Sequence, residues 1–272
     1  MASTAQGKTV IVTGAAGGLG KAIADAFLAA GANVVICDVN PQRIAAAEEE
    51  WTKSYSGKFL TKQTDVSDET AVQELIDAAV AKFGRLDVLV NNAGVMDDFS
   101  PVGACSRDQW DRVLGINLNG PYLTCKAAVT QFEKQQESQP QPQPGSIGGV
   151  MVNIGSNASF MGFTSGVAYT VSKAGVMALT KNTAGYYGPK GIYCMALLLG
   201  GMHGTNIGDA FAHGLNMDMF QRVQASSTPY EPGKTDTAVA SVAKYCLFLS
   251  DPDIAPSANG SCIVFNRNWP EA

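Results

Sequence analysis

A glycine-rich turn, TGAAGGLG at residues 13–20, most constrains how this chain folds. The turn follows an apolar run at 8–14 that predicts a strand, and it precedes a helical pattern at 18–30. Glycines let the backbone approach an anion, while the helix start offers N–H groups and the positive end of a dipole. The residues expected to border that anion are Gly14, Gly18, Leu19 and Gly20. The turn therefore predicts a dinucleotide site.

Strand-like and helix-like segments alternate along the chain. Predicted strands lie at 8–14, 33–38, 58–65, 86–92, 149–156, 191–199 and 261–266. Predicted helices lie at 18–30, 41–55, 68–84, 106–136, 167–188 and 235–249. Strands that are apolar nearly throughout are covered on both faces, as in parallel sheets joined by crossover helices. The pattern predicts one α/β domain over 1–272, with a doubly wound parallel sheet.

Composition argues against several classes of protein. With a formal net charge of −5 and interspersed acids and bases, the chain predicts no nucleic-acid partner. No apolar run reaches the roughly 20 residues of a membrane span, so we expect no membrane partner. The six cysteines are scattered without a Cys-x-x-Cys pair, and there are 2 histidines. These counts predict reduced cysteines, a cytoplasmic location and no metal site.

Asp38 ends the second predicted strand, at the position where a Rossmann-type site places an acidic residue. A carboxylate there can accept both hydroxyls of an adenosine ribose, whereas a 2′-phosphate would bring a second negative charge. The phosphorylated cofactor needs a compensating cation, but position 17 is Gly17 and the next two positions after Asp38 are Val39 and Asn40. We therefore predict NAD(H) over NADP(H).

The segment SNASFMGFTSGVAYTVSKAG at 156–175 contains a serine, a tyrosine and a lysine that could form a reaction centre. Tyr169 and Lys173 are four residues apart and share one face of a predicted helix. Ser156 ends a predicted strand at the sheet edge where ligands bind. Lowering a tyrosine pKa from about 10 to about 7 needs about 4 kcal/mol. One cation at about 4 Å supplies roughly that much in a partly dry site.

Several motifs occur in an order and spacing typical of one family. They are TGAAGGLG, Asp38, Asp65–Val66, NNAG at 91–94, Asn117 in INLNG, Ser156 in NIGS, and YTVSK at 169–173. On these motifs the chain resembles the short-chain dehydrogenase/reductase family in its compact form, over nearly its whole length. The resemblance implies a single-domain Rossmann-type fold, with a seven-stranded parallel sheet and helices on both faces. It also implies an oxidoreductase with a nicotinamide cofactor.

The same resemblance implies a role for each matching residue. Tyr169 is implied as the acid/base, Lys173 as its partner and Ser156 as the hydroxyl that orients the substrate. Asn117 is implied as a water-holding member of a proton relay. The residues implied to border the cofactor are Asp65 and Val66 at the adenine, Asn92, Ala93 and Gly94 along its centre, and Tyr169 and Lys173.

The chain departs from the family pattern after the sixth predicted strand. CMALLLGGMHGTN at 194–206 lacks the Asn and Pro of the usual Asn-x-x-x-Pro-Gly, although Gly200 remains. We expect Gly200, Met202 and Thr205 to border the nicotinamide end of the cofactor. His203, in the same loop, is either exposed or in contact with substrate.

Four further features concern the surface and the cleft. Residues 200–228 are expected to form a substrate lid, and 133–149 a Gln/Pro-rich surface loop. The chain has FNRNW near its end where the family often has Asp-Gly-Gly, so we expect subunit packing to differ there. Asp97 and Asp98, expected at the cleft mouth, would disfavour an anionic substrate.

These features predict hydride transfer between NAD(H) and a secondary alcohol or ketone. The Met- and Phe-rich stretch at 207–225 favours a neutral, partly apolar substrate. Two alternatives stay open: an NAD-retaining epimerase or dehydratase, and a non-catalytic dinucleotide sensor or scaffold. The resemblance also implies a dimer or tetramer packed through the helices around 106–136 and 167–188, and we expect a homotetramer.

Overall fold

The computed structural model describes residues 5–138, 147–226 and 228–269. The strands are β1 (Thr9–Thr13), β2 (Asn33–Asp38), β3 (Phe59–Gln63), β4 (Val88–Asn91), β5 (Gly149–Ser156), β6 (Ile192–Leu199) and β7 (Cys262–Phe265). They form one parallel sheet in the order β3-β2-β1-β4-β5-β6-β7. Because the order reverses between β1 and β4, the arrangement is the doubly wound Rossmann type, and it confirms the predicted fold.

Helices cover both faces of this sheet. They are α1 (Gly18–Ala29), α2 (Pro41–Ser54), α3 (Glu69–Phe83), α4 (Arg107–Leu114), α5 (Gly120–Glu137), α6 (Val167–Tyr187), α7 (Met217–Ala225), α8 (Val239–Leu249) and α9 (Ala255–Ala258). One core cluster joins the sheet to α1, α2 and α8, and a second joins it to α3, α5 and α6. In the described parts of the chain, no helix has the length and apolar character of a membrane span.

Strand β1 shows why the strands are apolar throughout. Val10 and Val12 belong to the core cluster under α1 and α8, whereas Ile11 belongs to the cluster under α3 and α5. All three side chains are fully buried. A strand covered on both faces needs apolar residues at consecutive positions, which is the pattern that predicted a parallel sheet.

The helix predicted at 106–136 is interrupted. Helix α4 ends at Leu114, residues Gly115–Asn119 form a π-helical turn, and α5 follows. The widened turn contains Asn117, which is fully buried and bonds to the backbone of Val95 on another segment. Side-chain bonds of this kind compete with regular helical bonding, and π-turns often occur at functional sites.

Both ends of the predicted Gln/Pro-rich loop at 133–149 belong to regular elements, because α5 continues through Glu137 and β5 begins at Gly149. Gln135 explains the extra turn of helix, since its amide exchanges two hydrogen bonds of 2.8 Å with the backbone of Leu86. Gln136 donates to the carbonyl of Lys190 at 2.7 Å. The remainder of the predicted loop, 139–146, lies outside the described residues.

Candidate active site

The glycine-rich turn joins β1 to α1 at the carboxyl edge of the sheet. Gly14 and Gly18 have φ values of 59° and 54°, a region that favours glycine. A Cβ at Gly20 would lie 2.7 Å from Ala15 Cα, so a side chain would not fit there. Helix α1 has no side-chain cap and no acidic residue in its first turn. These features fit a pyrophosphate, because the backbone can approach it and the helix dipole stabilises it.

The NNAG segment, which follows β4, fixes the shape of this turn. Asn92 Nδ2 donates to the carbonyls of Thr13 and Gly14, both at 3.0 Å. The backbone N–H groups of Asn92 and Ala93 both donate to Thr13 Oγ1 at 3.0 Å. Because Asn92 and Ala93 are engaged with the turn itself, their contribution to a cofactor would be to hold its cradle.

Asp38 lies at the end of β2 beside the turn. Its carboxylate accepts hydrogen bonds from Ala16 N–H at 3.3 Å and Asn40 N–H at 3.0 Å. These bonds hold the carboxylate next to the glycine-rich turn, where it could also accept from a ribose. The side chain is half-buried, so part of it remains accessible.

Sequence reasoning missed a cation near this position. Arg43, in the first turn of α2, places its Cδ 3.8 Å from the position that a Cβ on Gly17 would occupy. Its guanidinium pairs with Asp209 of the lid segment at 2.5 Å. Positions 17, 39 and 40, where a compensating cation was sought in the sequence, carry none, whereas helix α2 brings Arg43 back to the turn.

Asp65 and Val66 lie at the start of the connection from β3 to α3. The Asp65 carboxylate accepts from the N–H of Ser67 at 2.9 Å and from its hydroxyl at 2.7 Å. Val66 is buried, and its side chain packs so close to Gly120 that a Cβ there would lie 2.8 Å away. The structure therefore gives both residues a local packing role, and their contact with adenine stays a prediction.

Ser156, Tyr169 and Lys173 come together at the carboxyl edge. The Tyr169 phenol shares a hydrogen bond with the Ser156 hydroxyl, and Lys173 Nζ lies 5.6 Å from the centre of the tyrosine ring. Tyr169 and Lys173 are only 7% and 4% exposed. A capping box with Ser159 fixes the Ser156 turn, and Lys173 donates to the carbonyl of Ile154 at 2.9 Å. The arrangement can hold a carbonyl oxygen between two hydroxyl groups.

Burial sets the charge of this site. It raises the pKa of Tyr169 to about 12, against the opposing effect of the Ser156 hydrogen bond, and it lowers the pKa of Lys173 to about 8. From the sequence, we expect the lysine to lower the tyrosine pKa in a partly dry site. A dry site also penalises the phenolate and the ammonium themselves, and in this structure that penalty is the larger effect.

Asn117 joins helix α6 to the segment after β4. Its side chain accepts from Val95 N–H at 2.8 Å, and it donates to the Val95 carbonyl at 2.9 Å and to Ser172 Oγ at 3.2 Å. A Cβ at Gly94 would lie 3.4 Å from Asn117 Oδ1 and 3.6 Å from Lys173 Nζ. The predicted relay residues are therefore close neighbours, although the water-holding role of Asn117 stays a prediction.

The loop after β6 lies along the glycine-rich turn. A Cβ at Gly18 would lie 3.2 Å from Thr205 Cα, and one at Gly17 would lie 2.5 Å from Asn206 Nδ2. Asn206 is a neighbour of the turn that sequence reasoning missed. Met202 is partly buried and packs against the core cluster under α1 and α8. The contacts of Thr205 and Met202 with a nicotinamide stay predictions.

Asp236, between the predicted lid at 200–228 and α8, holds His203. The His203 side chain is 62% exposed, but its Nδ1 bonds to the Asp236 carboxylate, which is buried and also accepts from Gly233 N–H. This pairing fixes the imidazole at the surface. Among the described residues, no group of three or more His, Cys, Asp or Glu side chains is placed to hold a metal ion.

The C-terminal turn reaches the serine loop, which sequence reasoning did not foresee. Asn157, next to Ser156, donates to the carbonyl of Trp269 at 2.8 Å and accepts from Asn266 Nδ2 at 2.9 Å. Gly200 lies against Asn266, since a Cβ on it would be 2.9 Å from Asn266 Cβ. The FNRNW departure was the available signal, but it was interpreted only as a change in subunit packing.

Comparisons with known proteins agree with this geometry. A family model described as short chain dehydrogenase matches residues 8–215. The short chain dehydrogenase/reductase dpchG of Colletotrichum higginsianum is 43% identical over 263 residues, covering 97% of this chain and 94% of that protein. 3β-Hydroxysteroid dehydrogenase 2 of Eggerthella lenta is 33% identical over 263 residues, covering 97% and 95%. The crystal structure of levodione reductase has a TM-score of 0.83 at 26% identity, covering 98% of this chain and 99% of that one.

The family model spans the glycine-rich turn, the NNAG segment and the Ser156, Tyr169 and Lys173 positions. Its proteins are oxidoreductases that bind a nicotinamide dinucleotide, which the glycine cradle and the start of α1 fit. The resemblance predicted from the motifs is confirmed. The chain belongs to the short-chain dehydrogenase/reductase family.

Proposed function

We propose that this protein is an NAD(H)-dependent dehydrogenase that interconverts a neutral, partly apolar secondary alcohol and its ketone. One observation carries the proposal. The Tyr169 phenol is buried at the carboxyl edge of the sheet and hydrogen-bonded to Ser156, with Lys173 against the same ring. A phenol, a hydroxyl and an ammonium in this arrangement suit proton transfer to and from an alcohol oxygen.

The bound dinucleotide supplies the hydride acceptor or donor. In the direction of reduction, Tyr169 is a neutral phenol that gives its proton to the carbonyl oxygen, while Ser156 donates a hydrogen bond that orients that oxygen. In the direction of oxidation, Tyr169 first gives up its phenolic proton, and the resulting phenolate accepts the proton of the alcohol. Lys173, with its pKa lowered to about 8, can lose and regain a proton near neutral pH and pass it towards Asn117.

Asp38 supports a preference for NAD(H). Its carboxylate is held beside the glycine-rich turn, where a 2′-phosphate would meet a like charge. Arg43 is the nearby cation that could favour NADP(H), but its guanidinium is engaged by Asp209. The ratio of kcat/KM for the two cofactors tests this preference. A wild-type kcat/KM that is higher with NADP(H) than with NAD(H) would contradict the preference. The Asp38→Ala substitution should bring the two kcat/KM values closer together.

Exposed apolar side chains support a partly apolar substrate. Phe160 and Phe163, in the loop after Ser156, are both 47% exposed, and Phe211 and Met217 of the lid are 38% and 52% exposed. Surfaces of this kind suit a ring system better than a sugar. The relative from Eggerthella lenta is named for a 3β-hydroxysteroid, which is a ring alcohol, and this supports the same substrate class.

We propose a homotetramer in the cytoplasm. Apolar residues are exposed on two separate faces, with Tyr122 and Tyr186 on α5 and α6, and Phe248 and Val264 on α8 and β7. A tetramer of this kind needs two interfaces. All six cysteines are unpaired, which suits a reducing compartment. Light scattering of the purified protein tests the assembly, and a monomer mass would contradict it.

The test of the function is a panel of alcohols with NAD⁺, monitored by NADH fluorescence. Hydroxysteroids, aromatic secondary alcohols, polyols and sugars form the panel. We expect NADH formation with ring alcohols, and we expect Tyr169→Phe to retain NADH binding while kcat falls by about 10²–10⁴-fold. Tyr55→Phe, at the C-terminal end of α2, is the control, and we expect it to keep the kcat of the wild type.

Three outcomes would contradict the proposal. Product without net NADH would indicate an epimerase or dehydratase. Tight NADH binding without turnover of any alcohol or ketone would indicate a sensor or scaffold. Near-normal turnover by Tyr169→Phe would show that the Tyr169 phenol is not the acid/base of the reaction.

A further inference from the structure

The helix that carries Tyr169 has no capping side chain of its own. Helix α6 is preceded by Gly166, and the cap comes from Asp97 on the segment after β4. The Asp97 carboxylate accepts from the N–H groups of Gly166 at 3.1 Å and Tyr169 at 2.9 Å. Tyr169 is therefore bonded to Asp97 through its own backbone. Capping bonds of this kind fix the first turn of a helix.

Asp97 is not at the cleft mouth as expected from the sequence, because it is only 1% exposed. A third bond comes from Phe99 N–H at 3.1 Å. Among the described residues, no cation lies within ion-pair distance of Asp97. Burial raises the pKa of Asp97, and the three N–H groups and the positive end of the α6 dipole oppose that rise.

The space around the cap is shaped for a carboxylate. A Cβ on Gly166 would lie 2.5 Å from Asp97 Oδ2, so a larger residue would displace the acid. The φ of Gly166 is −72°, which any residue can adopt. Glycine is therefore required at this position for room and not for backbone conformation.

The same segment also holds the lid. The Asp98 carbonyl accepts from Asn216 N–H at 2.7 Å, and Asn216 caps α7. Phe99 has a φ of 63°, which is strained for a bulky residue. Its ring centroid lies 5.1 Å from that of Phe220, edge-on, and 6.1 Å from that of Phe211. Residues 97–99 thus bond to the catalytic helix on one side and to the lid on the other.

Resting on the function proposed above, we infer that Asp97 is a positioning residue that fixes Tyr169 against Ser156 through the first turn of α6. Asp97 accepts directly from the backbone N–H of Tyr169, the proposed acid/base. This contact is why we assign Asp97 a positioning role and not only a contribution to helix stability. Asp98 and Phe99 contact the predicted lid, so the same segment joins the lid to the first turn of α6.

The charge of Asp97 also acts on the phenol. The groups that face Tyr169 are Ser156 from β5, Lys173 from its own helix, and Asp97 from the segment after β4, with Asp98 and the Cys105 thiol close to Asp97. After burial and the opposing Ser156 bond, the Asp97 carboxylate is the further cause that raises the pKa of Tyr169. Neutralising Asp97 should therefore move the rising limb of the pH profile for alcohol oxidation to lower pH.

The experiment compares Asp97→Ala and Asp97→Asn with Asp68→Ala, which removes the cap of α3. Hydrogen exchange of the α6 start and the ¹³Cζ resonance of Tyr169, identified by its loss in Tyr169→Phe, report position without turnover. We expect faster exchange and a shifted resonance in Asp97→Ala, with kcat lower by about 100-fold, since small misplacements of reacting groups have effects of this size. Asp97→Asn keeps an acceptor, so it should retain more activity and show the shifted pH profile. Asp68→Ala should change none of these.

Each other result has a definite meaning. Faster exchange with unchanged kcat and an unchanged ¹³Cζ resonance would make Asp97 a structural cap and overturn the inference. An unshifted pH profile in Asp97→Asn would also contradict it. If the wild type turns over no substrate, the proposed function fails, while the ¹³Cζ resonance and the exchange still decide whether Asp97 positions the phenol.

Discussion

Helices α3 and α6 begin in different ways. Asp68 caps α3 from the adjacent position, since its carboxylate accepts from Ala71 N–H at 3.0 Å. Helix α6 instead follows Gly166 and takes its cap from Asp97, 69 residues earlier in the chain. A local cap makes the helix start independent of the rest of the fold. A distant cap makes the position of Tyr169 depend on how the segment after β4 is folded.

The two helices also differ in where they place charge. Helix α3 exposes its charged residues, including Glu69, Asp77 and Lys82. Helix α6 buries Tyr169 and Lys173, so both pay a desolvation penalty when charged. Helix α6 is therefore less stable than its packing alone would make it, which is common where function requires buried ionisable groups.

The largest expected effect concerns Lys173. Its pKa is about 8 in the folded protein against 10.5 unfolded, so between these values the unfolded state binds more protons. Stability from this group therefore rises by about 3 kcal/mol as pH increases from 8 to 10.5. Because Lys173→Met buries no charge, it should be more stable than the wild type at pH 8. That difference in unfolding free energy should shrink as the pH rises to 10.5. Urea unfolding at pH 7, 8.5 and 10 measures the difference in unfolding free energy, and a pH-independent difference would show that burial does not lower the pKa of Lys173.

Gly166→Ala tests the room at the distant cap. The new methyl would lie within 2.5–2.7 Å of the Asp97 carboxylate, so we expect a loss of about 1–3 kcal/mol and a lower kcat. Gly185→Ala is the matched control on the same helix, because no atom lies within 4 Å of the added Cβ. It should stabilise the protein by about 0.4–1 kcal/mol with unchanged kcat. Equal effects of the two substitutions on thermal unfolding would contradict the crowded cap.

The same contrast explains what could be predicted from the sequence. The turn after β1 and the four-residue spacing of Tyr169 and Lys173 are local, so periodicity and motif order were sufficient. Three other features join distant segments: Asp97 to Gly166, Arg43 to Asp209 over 166 residues, and Asn266 to Asn157 over 109 residues. No local pattern specifies such pairs, because either partner alone is compatible with an exposed loop.

The smallest expected effect is on stability, and it comes from exchanging serine and aspartate at a local cap, Ser106, and at the distant cap, Asp97. Ser106 caps α4 locally by accepting from Gln109 N–H at 3.1 Å, and it is exposed. Ser106→Ala should lower stability by about 1 kcal/mol, and Ser106→Asp should be near neutral because either side chain reaches the same N–H. Asp97→Ser should behave unlike this pair, because a single hydroxyl is too short to span Gly166 and Tyr169 together. If Asp97→Ser instead retained wild-type stability and kcat, the distant cap would be as replaceable as the local one, and the position of Tyr169 would have to be fixed by the packing of α6 alone.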